Sequence, residues 1–85
     1  MAANKAIFAV TTTYGLNRNM IFRESRECGE HNYISVTNTR TGEYIEFQCR
    51  YNDSNVFLGI CEVWIKSYFK QHLVNYKLVE FRKGD

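Results

Sequence analysis

Eighty-five residues, 45% hydrophobic and 15% aromatic, are enough for one small globular domain and too apolar for a disordered chain. The formal net charge is only +2, from eleven basic and nine acidic side chains interspersed along the chain. That balance excludes the one-sided basic field of an electrostatic nucleic-acid binder, and equally the carboxylate surface of a DNA mimic.

Lys5 to Thr13 is rich in β-branched residues and reads as a strand that ends at the turn signal Tyr14-Gly15-Leu16-Asn17. Asn19 to Glu24 alternates Ile21 and Arg23 against Phe22 and Glu24, and its charge marks it as an edge strand. The polar, glycine-bearing run Glu27 to Asn32 reads as a loop. Tyr33 to Thr37 and Tyr44 to Arg50 both alternate with period two, and Asn38 to Gly42 between them predicts a hairpin. Gly42 supplies the left-handed residue of a type I turn with a bulge. The inward face of this hairpin is then Ile34, Val36, Ile45, Phe47 and Cys49.

Asn52-Asp53-Ser54-Asn55 offers successive N-cap side chains, and a helix is expected from Ser54 to about His72. Val74 to Phe81 regains β character, with Val74, Tyr76 and Leu78 on one face and Lys77, Val79 and Phe81 on the other. The expected fold is therefore α+β: one domain over residues 1–85, an antiparallel sheet of four to five strands with one long helix on it, in the order β-β-β-β-α-β, and a polar tail at 82–85.

The helix holds the most informative pattern. At about 100° per residue, Val56, Phe57, Leu58, Ile60, Cys61, Trp64, Ile65, Tyr68 and Phe69 sweep roughly 220°, against the 100° or so that a one-sided helix needs. The polar remainder, Gly59, Glu62, Lys66 and Lys70, is a narrow strip. Either the amino-terminal strands wrap the helix on two sides, or a flank bearing Leu58, Ile65, Phe69 and His72 is left for another protein. The second option assigns partner contacts to Tyr44, Arg50, Leu58, Ile65, Lys66, Phe69 and Lys70, and it admits a homodimer through the helix.

Chemistry-bearing clusters are sparse. Cys28, His31, Cys49 and Cys61 would make four ligands for zinc, but they lack the close pairs of a structural site, and Cys49 and Cys61 fall on apolar faces. Three cysteines with no close spacing read as reduced cytosolic thiols. No phosphate loop, nucleophile elbow or metalloprotease motif occurs, so neither enzyme activity nor a cofactor or metal is expected. Tyr33, Tyr44, Tyr51 and Arg50 suggest a stacking platform for single-stranded nucleic acid, although Glu43 and Glu46 share that surface. The first apolar run, Ala6 to Val10, is too short for a secretion signal or a membrane span, so the chain is expected to stay where it is made.

Between Val36 and Gln71 the chain resembles the small inhibitor of bacterial dGTPase made by short-tailed lytic phages. The shared residues are Arg40-Thr41-Gly42 with Ile45 behind the turn, Tyr51 ending the strand, Asp53 with Val56 opening the helix, then Cys61, Trp64 and Gln71. That family's helix is acidic, whereas this one carries Lys66 and Lys70. The resemblance implies a cytoplasmic protein that inhibits a host enzyme of nucleotide metabolism by stoichiometric binding, without turnover, and so protects the dGTP pool. It also implies that Trp64 is a core residue. Other small α+β proteins, such as anti-CRISPR inhibitors, share the size and fold class, and a single-stranded nucleic-acid module stands as the reading from a different class.

Overall fold

A computed structural model describes residues 4–25, 32–49 and 54–84. The elements are β1 (Lys5–Thr12), β2 (Gly15–Ser25), β3 (Asn32–Asn38), β4 (Tyr44–Cys49), α1 (Ser54–Phe69) with a 3-10 turn Lys70–His72, and β5 (Leu73–Arg82). The strands form one antiparallel sheet in the order β4-β3-β2-β1-β5, so the last strand returns beside the first. The α+β fold, with one helix on a five-stranded sheet, is as the sequence patterns predict.

Period-two alternation sorts the strands into a core face and an open face. Ala6, Phe8 and Val10 of β1, Met20 and Phe22 of β2, and Ile34 and Val36 of β3 are buried beneath α1. From the helix, Phe57, Cys61, Ile65 and Phe69 complete this core, one residue per turn. Phe22 meets Phe8 edge-on at 5.7 Å and Trp64 edge-on at 5.6 Å, which ties the sheet to the helix at its centre. Trp64 is thus a core-facing residue. The opposite face of the sheet carries the half-buried pair Ile7 and Ile21, exposed Arg23, and the polar side of the β3–β4 hairpin.

The hairpin follows its sequence pattern, pairing Ile34 with Phe47 and Val36 with Ile45. Asn38 is buried at the turn; its Oδ1 accepts the backbone N–H of Arg40 at 2.9 Å, and Gly42 N–H donates to its carbonyl at 2.8 Å. Gly42 has φ +77°, and a Cβ there would meet nothing within 4 Å. Gly42→Ala should therefore cost about 1 kcal/mol, from backbone strain alone. Urea unfolding of the variant checks this value.

Four expectations need correction. β2 is not an edge strand but lies between β1 and β3. Its charges are accommodated without an edge: Arg23 points to the open face, and buried Glu24 is held by Asn4. The first turn is also tighter than expected, a two-residue connection at Thr13 and Tyr14 with Gly15 (φ +120°) opening β2. In β5 the register against β1 shifts between Ile7 and Phe8 and between Thr11 and Thr12. These shifts leave Val79 and Val74 without a partner in β1, so the period slips and Phe81 joins Tyr76 and Leu78 on the helix side. The expected division of β5 into a Val74–Tyr76–Leu78 face and a Lys77–Val79–Phe81 face fails for this reason.

The fourth correction concerns the helix flank. Ile65 is fully buried and Phe69 is 9% exposed, while Leu58 is half-buried beside Phe8, Tyr76 and Leu78. β5, at the sheet margin, covers the side of the helix that was expected to stay open. On the helix the uncovered aliphatic residues are instead Val56 (46% exposed) and Val63 (64%), with half-buried Ile60 between them. The helical sector is as wide as expected; its surplus lies at the opposite end, beyond the reach of β4.

A cleft and an apolar groove as candidate functional sites

Two surface features stand out, at different places on the domain. The first is a cleft of about 630 Å³ where the β1–β2 turn, the β3–β4 turn and the carboxyl end of α1 converge. Phe69 lines it together with Tyr14, Arg40, Thr41, Glu43, Tyr68 and His72. Tyr14 is 70% exposed and Tyr68 is 43% exposed.

Hydrogen bonds across the three segments hold this rim in place. Thr13 N–H donates to the His72 carbonyl at 2.8 Å. The His72 ring lies between two hydroxyls, with Thr13 Oγ1 3.1 Å from Nδ1 and Tyr14 Oη 3.0 Å from Nε2. A neutral imidazole donates from one nitrogen and accepts at the other, so both contacts can be satisfied together. The Tyr14 and His72 rings also approach to 4.6 Å. On the far side the Tyr68 hydroxyl donates a short hydrogen bond to Glu43 Oε1, and Tyr68 stacks on Trp64 at 4.6 Å. The Glu43 carboxylate accepts that bond only while the phenol keeps its proton, and so raises the Tyr68 pKa above the ordinary range, with burial adding to the effect.

Lys70 follows at the helix end with φ +52°, the left-handed conformation in which helices usually place glycine. Lys70→Gly should raise stability by about 0.5–1 kcal/mol by removing that strain. A higher denaturation midpoint with unchanged slope is the expected reading.

The second feature is a groove of about 460 Å³ lined by Cys49, Val56, Gly59, Ile60 and Val63, between β4 and the uncovered flank of α1. Cys49 is half-buried there, whereas Cys61 lies in the core, where burial pushes its thiol far above the ordinary cysteine pKa. In the folded chain a thiol reagent should therefore modify Cys49 and spare Cys61 until denaturant is added; mass spectrometry of the labelled peptides checks this order.

The residues assigned to partner contact divide as follows. Phe69 lies in the cleft, and Tyr44 and Lys70 adjoin cleft residues Glu43 and Phe69 in the chain. Tyr44 is 62% exposed, and its hydroxyl donates to Glu46 at 3.3 Å. Lys66 lies instead on the β5 side, its Nζ 5.9 Å from the Tyr76 ring centre, and Leu58 and Ile65 belong to the core side. Arg50 lies outside the described residues, as do Tyr51, Cys28 and His31. Tyr33 accepts a hydrogen bond from Gln48 at 3.4 Å on the open face of the sheet, which bears both Glu46 and exposed Arg23. Among the described residues no group of three His, Cys, Asp or Glu side chains could hold a metal ion, and no helix is long and apolar enough to cross a membrane.

The sequence reading missed Tyr14, Thr13, Arg40 and Tyr68 as members of one site. Tyr14 and Arg40 each carry a local turn signal, but only the strand order brings the two turns to the same end as the last helical turn. Comparison with protein-family models, curated proteins and solved structures finds no match to the chain. The functional reading therefore rests on the site itself.

Proposed function

We propose that this is a non-enzymatic protein that inhibits a bacterial host enzyme by binding it stoichiometrically, and that the cleft end of the domain is the contact surface. The observation that carries this reading is a concave, hydrogen-bonded rim presenting Tyr14, Tyr68 and Arg40 around a floor containing Phe69. Tyrosine and arginine are the side chains that most often dominate protein–protein binding energy, and a rim already tied in place loses little conformational freedom on binding. The His72 nitrogens are engaged by hydroxyls of the same turn, which supports a positioning role for the imidazole. Bacterial dGTPase is the named target, on the resemblance over Val36 to Gln71 alone.

Titration of purified dGTPase with the intact chain tests the proposal. Inhibition should saturate at a fixed molar ratio, and the pair of changes Tyr14→Ala and Arg40→Ala should raise the concentration required at least tenfold, about 1.4 kcal/mol of binding. Thermal melting of the double variant should fall by no more than a few degrees, because both side chains are exposed and the loss is confined to surface contacts such as that of Tyr14 with His72. Activity that stays flat at molar excess of the intact chain would remove dGTPase as the target. Full potency in the double variant would remove the cleft as the contact.

A further inference from the structure

The two margins of the sheet are guarded very differently. β5 carries Lys77, Glu80 and Arg82 along its length and is irregular at two places in its pairing with β1. Charges and bulges of this kind discourage another strand from pairing with an edge. β4 is less guarded: its register with β3 is unbroken, and Glu46 is its single charged residue. The chain also has no proline to block either edge.

The geometry of the hairpin says which backbone groups β4 presents outward. Asn38 N–H donates to the Glu43 carbonyl, so the pairs Asn38–Glu43, Val36–Ile45 and Ile34–Phe47 exchange hydrogen bonds. The alternate residues Tyr44, Glu46 and Gln48 then direct N–H and C=O away from β3, toward the open margin. Beside that margin runs the groove of Cys49, Val56, Gly59, Ile60 and Val63, a flank of α1 without a charged side chain.

From these observations we infer that a second copy of this chain docks here, its β4 antiparallel to the first, so that one sheet runs through both copies and the two Val56–Ile60–Val63 flanks meet. A two-fold axis sets a surface against itself, so a charged flank would repel its own image, whereas this uncharged apolar one does not. The same charge argument selects the register. Pairing centred on Glu46 would oppose two carboxylates and is disfavoured. Centring on Phe47 places Glu46 opposite Gln48 and Ile45 opposite Cys49, keeps the outward backbone groups face to face, and brings the two Phe47 side chains together on the helix side. This surface is separate from the cleft, so the dimer stands or falls independently of the proposed target.

Light scattering of the intact chain at about 100 μM should give twice the 10.0 kDa chain mass. Val63→Lys, at a position 64% exposed, should return the single-chain mass with unchanged circular dichroism. The register has its own readout. With Cys28→Ser and Cys49→Ser in the background, an oxidised mixture of Glu46→Cys chains and Gln48→Cys chains should cross-link to each other, and far more than either does with itself. A single-chain mass for the intact protein at that concentration would overturn the dimer. So would a dimer that survives Val63→Lys and forms no mixed cross-link, since its contact would then lie elsewhere.

Discussion

Phe22→Ala is expected to bring the domain close to unfolding at room temperature. Phe22 lies in the middle of the sheet, fully buried, with Phe8 on its own layer and Trp64 from the helix both set edge-on against its ring. Truncation would remove one of the two largest fully buried side chains and both aromatic contacts at once. Emptying such a site costs about 3–5 kcal/mol. A domain of this size is stable by only about 4–13 kcal/mol, at 0.05–0.15 kcal/mol per residue. The melting temperature should fall by roughly 12–40 °C, at 4–8 °C per kcal/mol. Phe22→Leu keeps most of the volume and should lose less than half as much. A Phe22→Ala variant that melts within a few degrees of the parent would mean that sheet and helix do not share this core.

The contrast between Phe22 and Phe69 shows what the sequence could and could not reveal. Strand periodicity set Phe22 and Glu24 on one face and Ile21 and Arg23 on the other, since each strand needs only local information to sort its two faces; that the Phe22 face is the inner one follows from the helix above it. The β3–β4 hairpin was legible for the same reason, with Gly42 marking its turn. A helix flank is a different problem. Phe69 sits at one end of an apolar sector, and whether that end or the Val56–Val63 end is covered depends on where β5 inserts in the sheet. Neither composition nor period encodes that β5 returns beside β1, so the exposed flank was assigned to the wrong end. The two irregularities in β5 compound the difficulty, because each leaves a residue unpaired and reverses the faces beyond it. The cleft was hidden for a related reason: its residues are brought together by strand order, across separations as long as that between Tyr14 and His72.

A second large loss of stability is expected at a residue that no motif marks. Asn4 precedes β1, is 1% exposed, and ties three parts of the chain together. Its backbone N–H and its Nδ2 both donate to Glu24 Oε1 at 3.3 Å, and its carbonyl accepts from Glu24 N–H at 2.9 Å. Its Oδ1 accepts from Gly84 N–H at 2.7 Å, which fastens the tail beyond β5 to the start of β1. Asn4→Ala removes the two side-chain bonds and keeps the backbone ones. The carboxylate of Glu24, itself only 5% exposed, then loses a donor, and the Gly84 N–H loses its acceptor. Hydrogen bonds to a charged group contribute about 1.5–3 kcal/mol, and an orphaned donor adds to the cost, so a loss of about 3 kcal/mol is expected. Asn4→Asp should be worse than alanine at neutral pH, because a second carboxylate then faces Glu24. Urea titrations of both variants at pH 7 provide the measurement. An Asn4→Asp variant as stable as the parent would show that the Glu24 carboxylate is not what the asparagine side chain serves.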